Sequence, residues 1–252
     1  MSEPFRIRDL TEAREMLALE DLQRAAWGYP ELEVHPGNIF KIHAHTGGVV
    51  ALAEDADGRP IGFVFGFPAY AESQLWHHSH MLAVRPEARG MGVAEALKRH
   101  QRARVLAQGL TRMTWTFDPL VTRNARFNLG KLGARAVSYH PEWYVSEDIP
   151  ADRLMIAWDL TRETAAHPAP KPEGEAVLER SGDEPGTPTL HSSAPRLLVE
   201  APANAADLPV ATRLAWRLTL REVLGHYLGR GYAVTDLARD GERVWYLLER
   251  IQ

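Results

Sequence analysis

"LWHHSHMLAVRPEARGMGVAEAL", residues 75–97, decides how the rest of the chain is read. It places three histidines in an apolar run, then Pro86, Arg89 and two glycines, and then a helix-like stretch. A strand sends residues i and i+2 to one face, so His78 and His80 point one way and His77 and Ser79 the other. Pro86 removes a backbone donor and ends the strand. Gly90 and Gly92 permit positive φ and close backbone approach. The helix that follows leaves unpaired amides at its positive end. Such a turn is either a tight strand-to-helix connection or a cradle for a pyrophosphate, with Arg89 adding charge. It is neither a P-loop, lacking Gly-Lys-Ser/Thr, nor a full G-x-G-x-x-G, because Glu95 takes the third glycine's place.

Working outward, Phe5–Leu10 alternates like a strand and Thr11 reads as the cap of a helix carrying Met16, Leu19, Leu22 and Ala26, closed by Gly28. A short helix is expected around Ile39–His45. Val49–Ala53 and Ile61–Phe67 read as strands flanking the turn "EDADGRP", and Leu75–Val84 as the third strand of that sheet. A helix over Gly92–Gln108 stops at Gly109. The strand Arg112–Phe117, the helix Thr122–Leu132 closed by Gly133, and the strands Ala134–Tyr139 and Leu154–Leu160 complete the run. The helix between strands 75–84 and 112–117 makes them expected parallel neighbours. Thr161–Pro195, rich in proline, glycine, serine and charge, reads as a linker. Beyond it come a strand at Arg196–Glu200, a helix near Ala211–Leu228 and strands Tyr232–Asp236 and Val244–Leu248. This tail repeats the element order of 112–160, and "KLGARAVSY" resembles "LGRGYAVTD". The expected domains are therefore 1–160, a linker at 161–195, and an extension at 196–252 too small to build a large core alone.

Composition narrows the class. The 252 residues include no cysteine, which excludes disulfides, thiolate zinc sites and cysteine nucleophiles. A formal net charge of −4 gives no overall attraction to nucleic acid or anionic membrane. The first residues, "MSEPFRIRDL", lack an apolar signal core, and no apolar run approaches the ~20 residues that cross a bilayer. The expectation is a cytoplasmic protein without nucleic-acid or membrane partners, with a homodimer left open.

"Arg89-Gly-Met-Gly92-Val-Ala94" behind "Leu82-Ala-Val84-Arg-Pro86" resembles the R/Q-x-x-G-x-G/A motif of the GCN5-related N-acetyltransferases (GNAT). The order of elements over residues 5–160 also resembles that fold. The resemblance implies an α/β (α+β) class: a mixed, mostly antiparallel sheet with helices on both faces, plus the small C-terminal α/β extension. It implies binding of acetyl-CoA or another acyl-CoA such as succinyl-CoA. The backbone of Arg89, Gly90, Met91, Gly92, Val93 and Ala94 would meet the pyrophosphate, with the pantetheine beside Leu82–Val84. Asn124 resembles the family's asparagine near the pantetheine. Many members carry a tyrosine before the Lys-x-Gly that closes this helix, as acid for the departing thiolate. Leu129 stands there, leaving Tyr139, Tyr144 or solvent. "WTFDPLVTRNARFNLGKLGA" resembles a bacterial subgroup with a C-terminal extension, some of whose members are associated with N-acylation of amino acids.

An amine attacks a thioester only as the free base, and imidazole is suited to take its proton. "His78-Ser-His80-Met-Leu-Ala-Val" resembles the H-x-H-x-L-A-V stretch of arylalkylamine N-acetyltransferases, which implies His80 as base and His78 as its relay partner. Packing histidines and a metal site, with a second H-x-H at 43–45, are the competing readings, although no spacing supplies a further ligand. Asp118 either holds the substrate ammonium or caps the Asp-Pro turn. Trp76, Trp115 and Trp143 are pocket or core aromatics, and Arg85, Arg123 and Arg126 are candidates for an acceptor carboxylate. The expected function is transfer of an acetyl or succinyl group to the primary amine of a small molecule such as an amino acid. The alternative is a non-catalytic acyl-CoA sensor or assembly module.

Overall fold

The computed structural model describes residues 4–163 and 167–251. Residues 164–166 of the expected linker and 1–3 of the N-terminal stretch lie outside them. Contacts divide the chain into two compact units, Met1–Thr114 with Asp159–Thr161, and Trp115–Trp158 with Arg162–Gln252. The expected boundaries stand at 160 and 195, whereas the chain first passes between units after Thr114. Among the described residues no helix is long and apolar enough to cross a membrane.

The first unit runs β1 (Phe5–Asp9), α1 (Leu17–Trp27), α2 (Gly37–His45), β2 (Val49–Asp55), β3 (Pro60–Ala71), β4 (Gln74–Val84) and α3 (Val93–Ala107), and then enters β5 (Arg112–Phe117). Strands β1 to β4 pair antiparallel in sequence order. β5 lies parallel to β4, with His77 opposite Met113 and His78 opposite Thr114, as the intervening helix predicts. β2 and β3 are near-continuous apolar runs because both their faces are covered. On one face Leu19 and Leu22 of α1 and Phe40 of α2 pack on Val50, Leu52, Phe63, Phe65, Met81 and Ala83. On the other, Val93 and Leu97 of α3 pack on Ala51, Ala53, Ile61 and Val64.

Local chemistry sets most of the boundaries. Asp55 Oδ1 accepts the amides of Asp57 and Arg59, and Gly58 takes φ +79°, which closes the expected Asp-Gly turn. Gly28, at φ 69°, stops α1. Thr11 does not cap α1, which starts at Leu17; Glu15 instead pairs with Arg8 and accepts the amide of Glu12, so the chain turns before it coils.

The second unit holds the end of β5, α4 (Thr122–Ala125) continuing into a π turn over Arg126–Lys131, β6 (Arg135–Tyr144), β7 (Ala151–Asp159), β8 (Glu175–Leu178), β9 (Arg180–Ser181), β10 (Glu184–Pro185), β11 (Arg196–Ala201), α5 (Val210–Leu228), β12 (Tyr232–Asp240) and β13 (Arg243–Arg250). The stretch expected as a linker thus contains strands. Val177 and Leu178 are buried, and β8 pairs parallel with β11. The sheet order β7-β6-β12-β13-β11-β8 sets the two look-alike stretches side by side, with Ala136 opposite Val234. Trp216, Leu220, Val223 and Tyr227 of α5 are all buried, the face expected from their spacing.

Candidate active site

The site is built on β4. Its ladder with β3 slips by one residue: Phe65 faces Met81 and Gly66 faces Ser79, so His80 is the extra residue of a β-bulge. The bulge changes which residues share a face. His77 and Ser79 reach Gln101 on α3, whereas Met81 and Ala83 belong to the core under α1 and α2. His80 lies on that α1–α2 face, its ring centroid 5.6 Å from His35 and 6.0 Å from both Phe65 and Phe67. His78 shares that face, 5.8 Å from Phe67 and 6.4 Å from His80. The expected pairing of His78 with His80, against His77 and Ser79, is what the structure shows. Regular alternation would have added Leu82 and Val84 to the His80 face; beyond the bulge they pack instead against the α3 cluster.

Burial tunes these rings. Burial, followed by the nearby His35 and His43, lowers the pKa of His80. Burial, then His80 and Lys98, lowers His78 to about 4. His77, fully buried, is lowered to about 3. All three are therefore neutral imidazoles at neutral pH. The rings of His78 and His80 are too far apart for a direct hydrogen bond. His78 Nδ1 is 3.0 Å from Thr114 Oγ1, a hydroxyl that also accepts Trp76 Nε1–H at 2.9 Å.

Past His78, no strand of the first unit pairs with the far side of β4 among the described residues, so within that unit Ser79–Val84 presents an open backbone edge. That edge leads through Arg85–Pro86 to α3. Gly90 and Gly92 have φ +86° and +85°, and a Cβ on either would meet nothing within 4 Å. Among the described residues the amides of Gly92, Val93, Ala94 and Glu95 have no acceptor. Unpaired amides, a positive helix end and open space together fit a diphosphate. Arg89 is tethered: its Nη2 donates to the carbonyl of Ala26 at the end of α1 at 2.9 Å.

Several of the other expected residues lie in the second unit. Asn124 is exposed on the first turn of α4. Asp118 Oδ1 accepts the amide of Leu120, and its Oδ2 accepts Nη2 of the buried Arg217, each at 2.8 Å, so its carboxylate is occupied by structure. Leu129 is buried. Tyr139 donates to Asp152 at 2.8 Å, and burial raises its pKa. Tyr144 is exposed, with Arg153 over its ring. Trp76 anchors Thr114, Trp115 packs edge-on to Trp158, and Trp143 is half exposed. Arg85 donates to the carbonyl of Pro60, and Arg126 pairs with Asp236. Among the described residues no group of three or more His, Asp or Glu side chains is arranged to hold a metal. Sequence reasoning missed His35, Phe65, Phe67 and Thr114. Only the phenylalanines carried a signal, their shared strand parity.

Residues 16–133 match the model of the acetyltransferase (GNAT) family. Solved structures agree with this fold. The phosphinothricin acetyltransferase of Sinorhizobium meliloti, in complex with AcCoA, superposes with a TM-score of 0.53 at 18% identity, over 66% of this chain and 94% of its own. The yncA protein of Salmonella typhimurium, solved with its cofactor acetyl-CoA, gives 0.52 at 16%, over 66% and 98%. A GNAT-family protein of Desulfovibrio desulfuricans gives 0.53 at 15%, over 62% and 99%. No curated protein matches the sequence. At these identities the likeness is one of fold, and it includes the mixed, mostly antiparallel sheet of the GNAT domain.

Proposed function

We propose that this protein is an acyl-CoA-dependent N-acyltransferase that acylates the primary amine of a small molecule. One observation carries the reading: the open edge of β4 joins His80, at its bulge, to the free amides that begin α3. Two of the structural neighbours are described with acetyl-CoA, which supports an acyl-CoA as donor.

The backbone of Arg89–Ala94 would hold the pyrophosphate, and the edge of Leu82–Val84 the pantetheine amides, in the manner of an added strand. Bound there, acyl-CoA supplies an activated carbonyl carbon and a thiolate leaving group. The backbone of β4 at the bulge offers amide donors to that carbonyl. His80, neutral and half-buried, accepts the proton of the attacking amine; His78, held by Thr114, relays it through water. Phe65 and Phe67 give the acceptor an apolar wall. Leu129 has no proton to give and Tyr139 keeps its own on Asp152, so the departing thiolate takes its proton from solvent.

The acceptor class to try first is an amino acid, and the donors are acetyl- and succinyl-CoA. Release of free thiol from each donor, crossed with amino acids and arylalkylamines, tests the reading. Amine-dependent release supports it. Tight binding of CoA without release by any amine would favour instead the non-catalytic acyl-CoA module, a reading to which the apolar Leu129 lends support.

A further inference from the structure

Beneath the candidate site, on the α3 face of β4, lies a buried polar chain that the proposed reaction does not use. Lys98 Nζ donates to Ser79 Oγ at 2.7 Å. Ser79 Oγ donates to Gln101 Oε1 at 2.8 Å, and Gln101 Nε2 donates to His77 Nε2 at 3.2 Å. All four side chains are buried. Because Nε2 of His77 accepts, its proton resides on Nδ1. Gly66 of β3 makes room for the last link: a Cβ there would collide with His77 Nε2 and stand 2.7 Å from Gln101 Nε2. Burial pushes the pKa of Lys98 well below its usual value. An apolar residue at 98 would avoid that cost; the amine is the first donor of the chain.

Taking His80 as the base, we infer that the Lys98–Ser79–Gln101–His77 chain positions it, by forcing the bulge in β4. A regular strand would send 77, 79, 81 and 83 to one face. Here the chain holds His77 and Ser79 on α3, while the core under α1 and α2 holds Met81 and Ala83. Two anchors of the same parity, held on opposite faces, are reconciled only by one residue of slippage between 79 and 81, and His80 is that residue. If the α3 anchor is removed, regular pairing continued from Met81 turns His78 and His80 toward α3, away from Phe65, Phe67 and His35.

The test uses Ser79→Ala, which removes one buried oxygen, Gln101→Leu, and Ser79→Thr as the conservative control. The first readout needs no ligand: the NOE between the His35 and His80 rings in histidine-labelled full-length protein. The others are kcat and the Kd for acetyl-CoA. Expected are loss or weakening of the NOE in Ser79→Ala and Gln101→Leu, with kcat lower by roughly 10- to 100-fold and Kd nearly unchanged. Ser79→Thr should restore NOE and kcat together. An intact NOE and wild-type kcat in both disabling variants would overturn the positioning role. A lost NOE with full turnover would keep the chain as the anchor of the bulge and remove His80 as base.

Discussion

His80 is suited to accept a proton because its surroundings keep it neutral. Burial against Phe65 and Phe67 disfavours the imidazolium, and His35 and His43 disfavour it further. A base works only unprotonated, so its lowered pKa preserves activity as pH falls below the ordinary imidazole value of ~6.5. The acid limb of the kcat/KM profile, corrected for ionisation of the acceptor amine, should therefore be centred below pH 6.5. A fall centred at or above 6.5 would point to another base. Substituting His80→Ala should lower kcat by roughly 10² to 10⁴ and leave acetyl-CoA affinity by calorimetry within about twofold, since CoA would be held by backbone. Turnover at wild-type rate would exclude His80 from the reaction. That His78 and His80 share a face apart from His77 was legible because i and i+2 share a face. His35 was not, because it enters from a loop whose place is set by Gln23, which bonds its backbone at both N–H and carbonyl.

In strand β4 and the turn beyond it, local and non-local causes separate cleanly. The turn could be read from sequence because its causes lie within it: Pro86 ends pairing, and Gly90 and Gly92 take left-handed φ that other residues resist. The bulge could not, since it results from a contest between helices on opposite faces of the sheet. Its one trace in the sequence is polar Gln101 in the series Val93, Leu97, Gln101 and Val105, which otherwise marks the buried stripe of α3. Arg89 shows how the turn serves two elements at once. Its guanidinium rests on the carbonyl end of α1, where a cation is favoured, and adds positive charge beside the free amides of α3. Arg89→Glu should weaken acetyl-CoA binding by roughly tenfold or more, while Arg89→Gln, which can still donate to Ala26, should lose less. Equal affinities for both variants and the parent, measured by titration calorimetry, would separate Arg89 from the pyrophosphate.

Taken as a whole, the chain shows its fold through repetition and its weak point through burial. The strand-helix-strand-strand order of the tail was readable, and so was its likeness to 112–160. The order β7-β6-β12-β13-β11 was not, because pairing Ala136 with Val234 joins segments almost a hundred positions apart. Strand β8 was hidden as well, its short apolar run averaged out by the prolines and charges around it. The weak point lies in the first unit, where His77 and His78 are held neutral with pKa values of about 3 and about 4. In the unfolded chain each returns to ~6.5 and takes up a proton that the folded form refuses. Stability these rings confer is therefore complete above pH 6.5 and is lost as pH falls from there toward 4 and then 3. Within that window the slope approaches about 1.4 kcal/mol per pH unit for each ring. The carboxylates held low by arginine, such as Glu54 and Asp152, begin to contribute only near and below their ordinary range, so pH 5 to 6.5 isolates the histidines. Urea midpoints across that interval should fall steadily as pH is lowered. In His77→Gln, which keeps an acceptor for Gln101 but cannot titrate, the decline should be shallower by about one proton. A slope identical to the parent's would mean that His77 is protonated alike in both states, and that the buried, neutral ring described here is wrong.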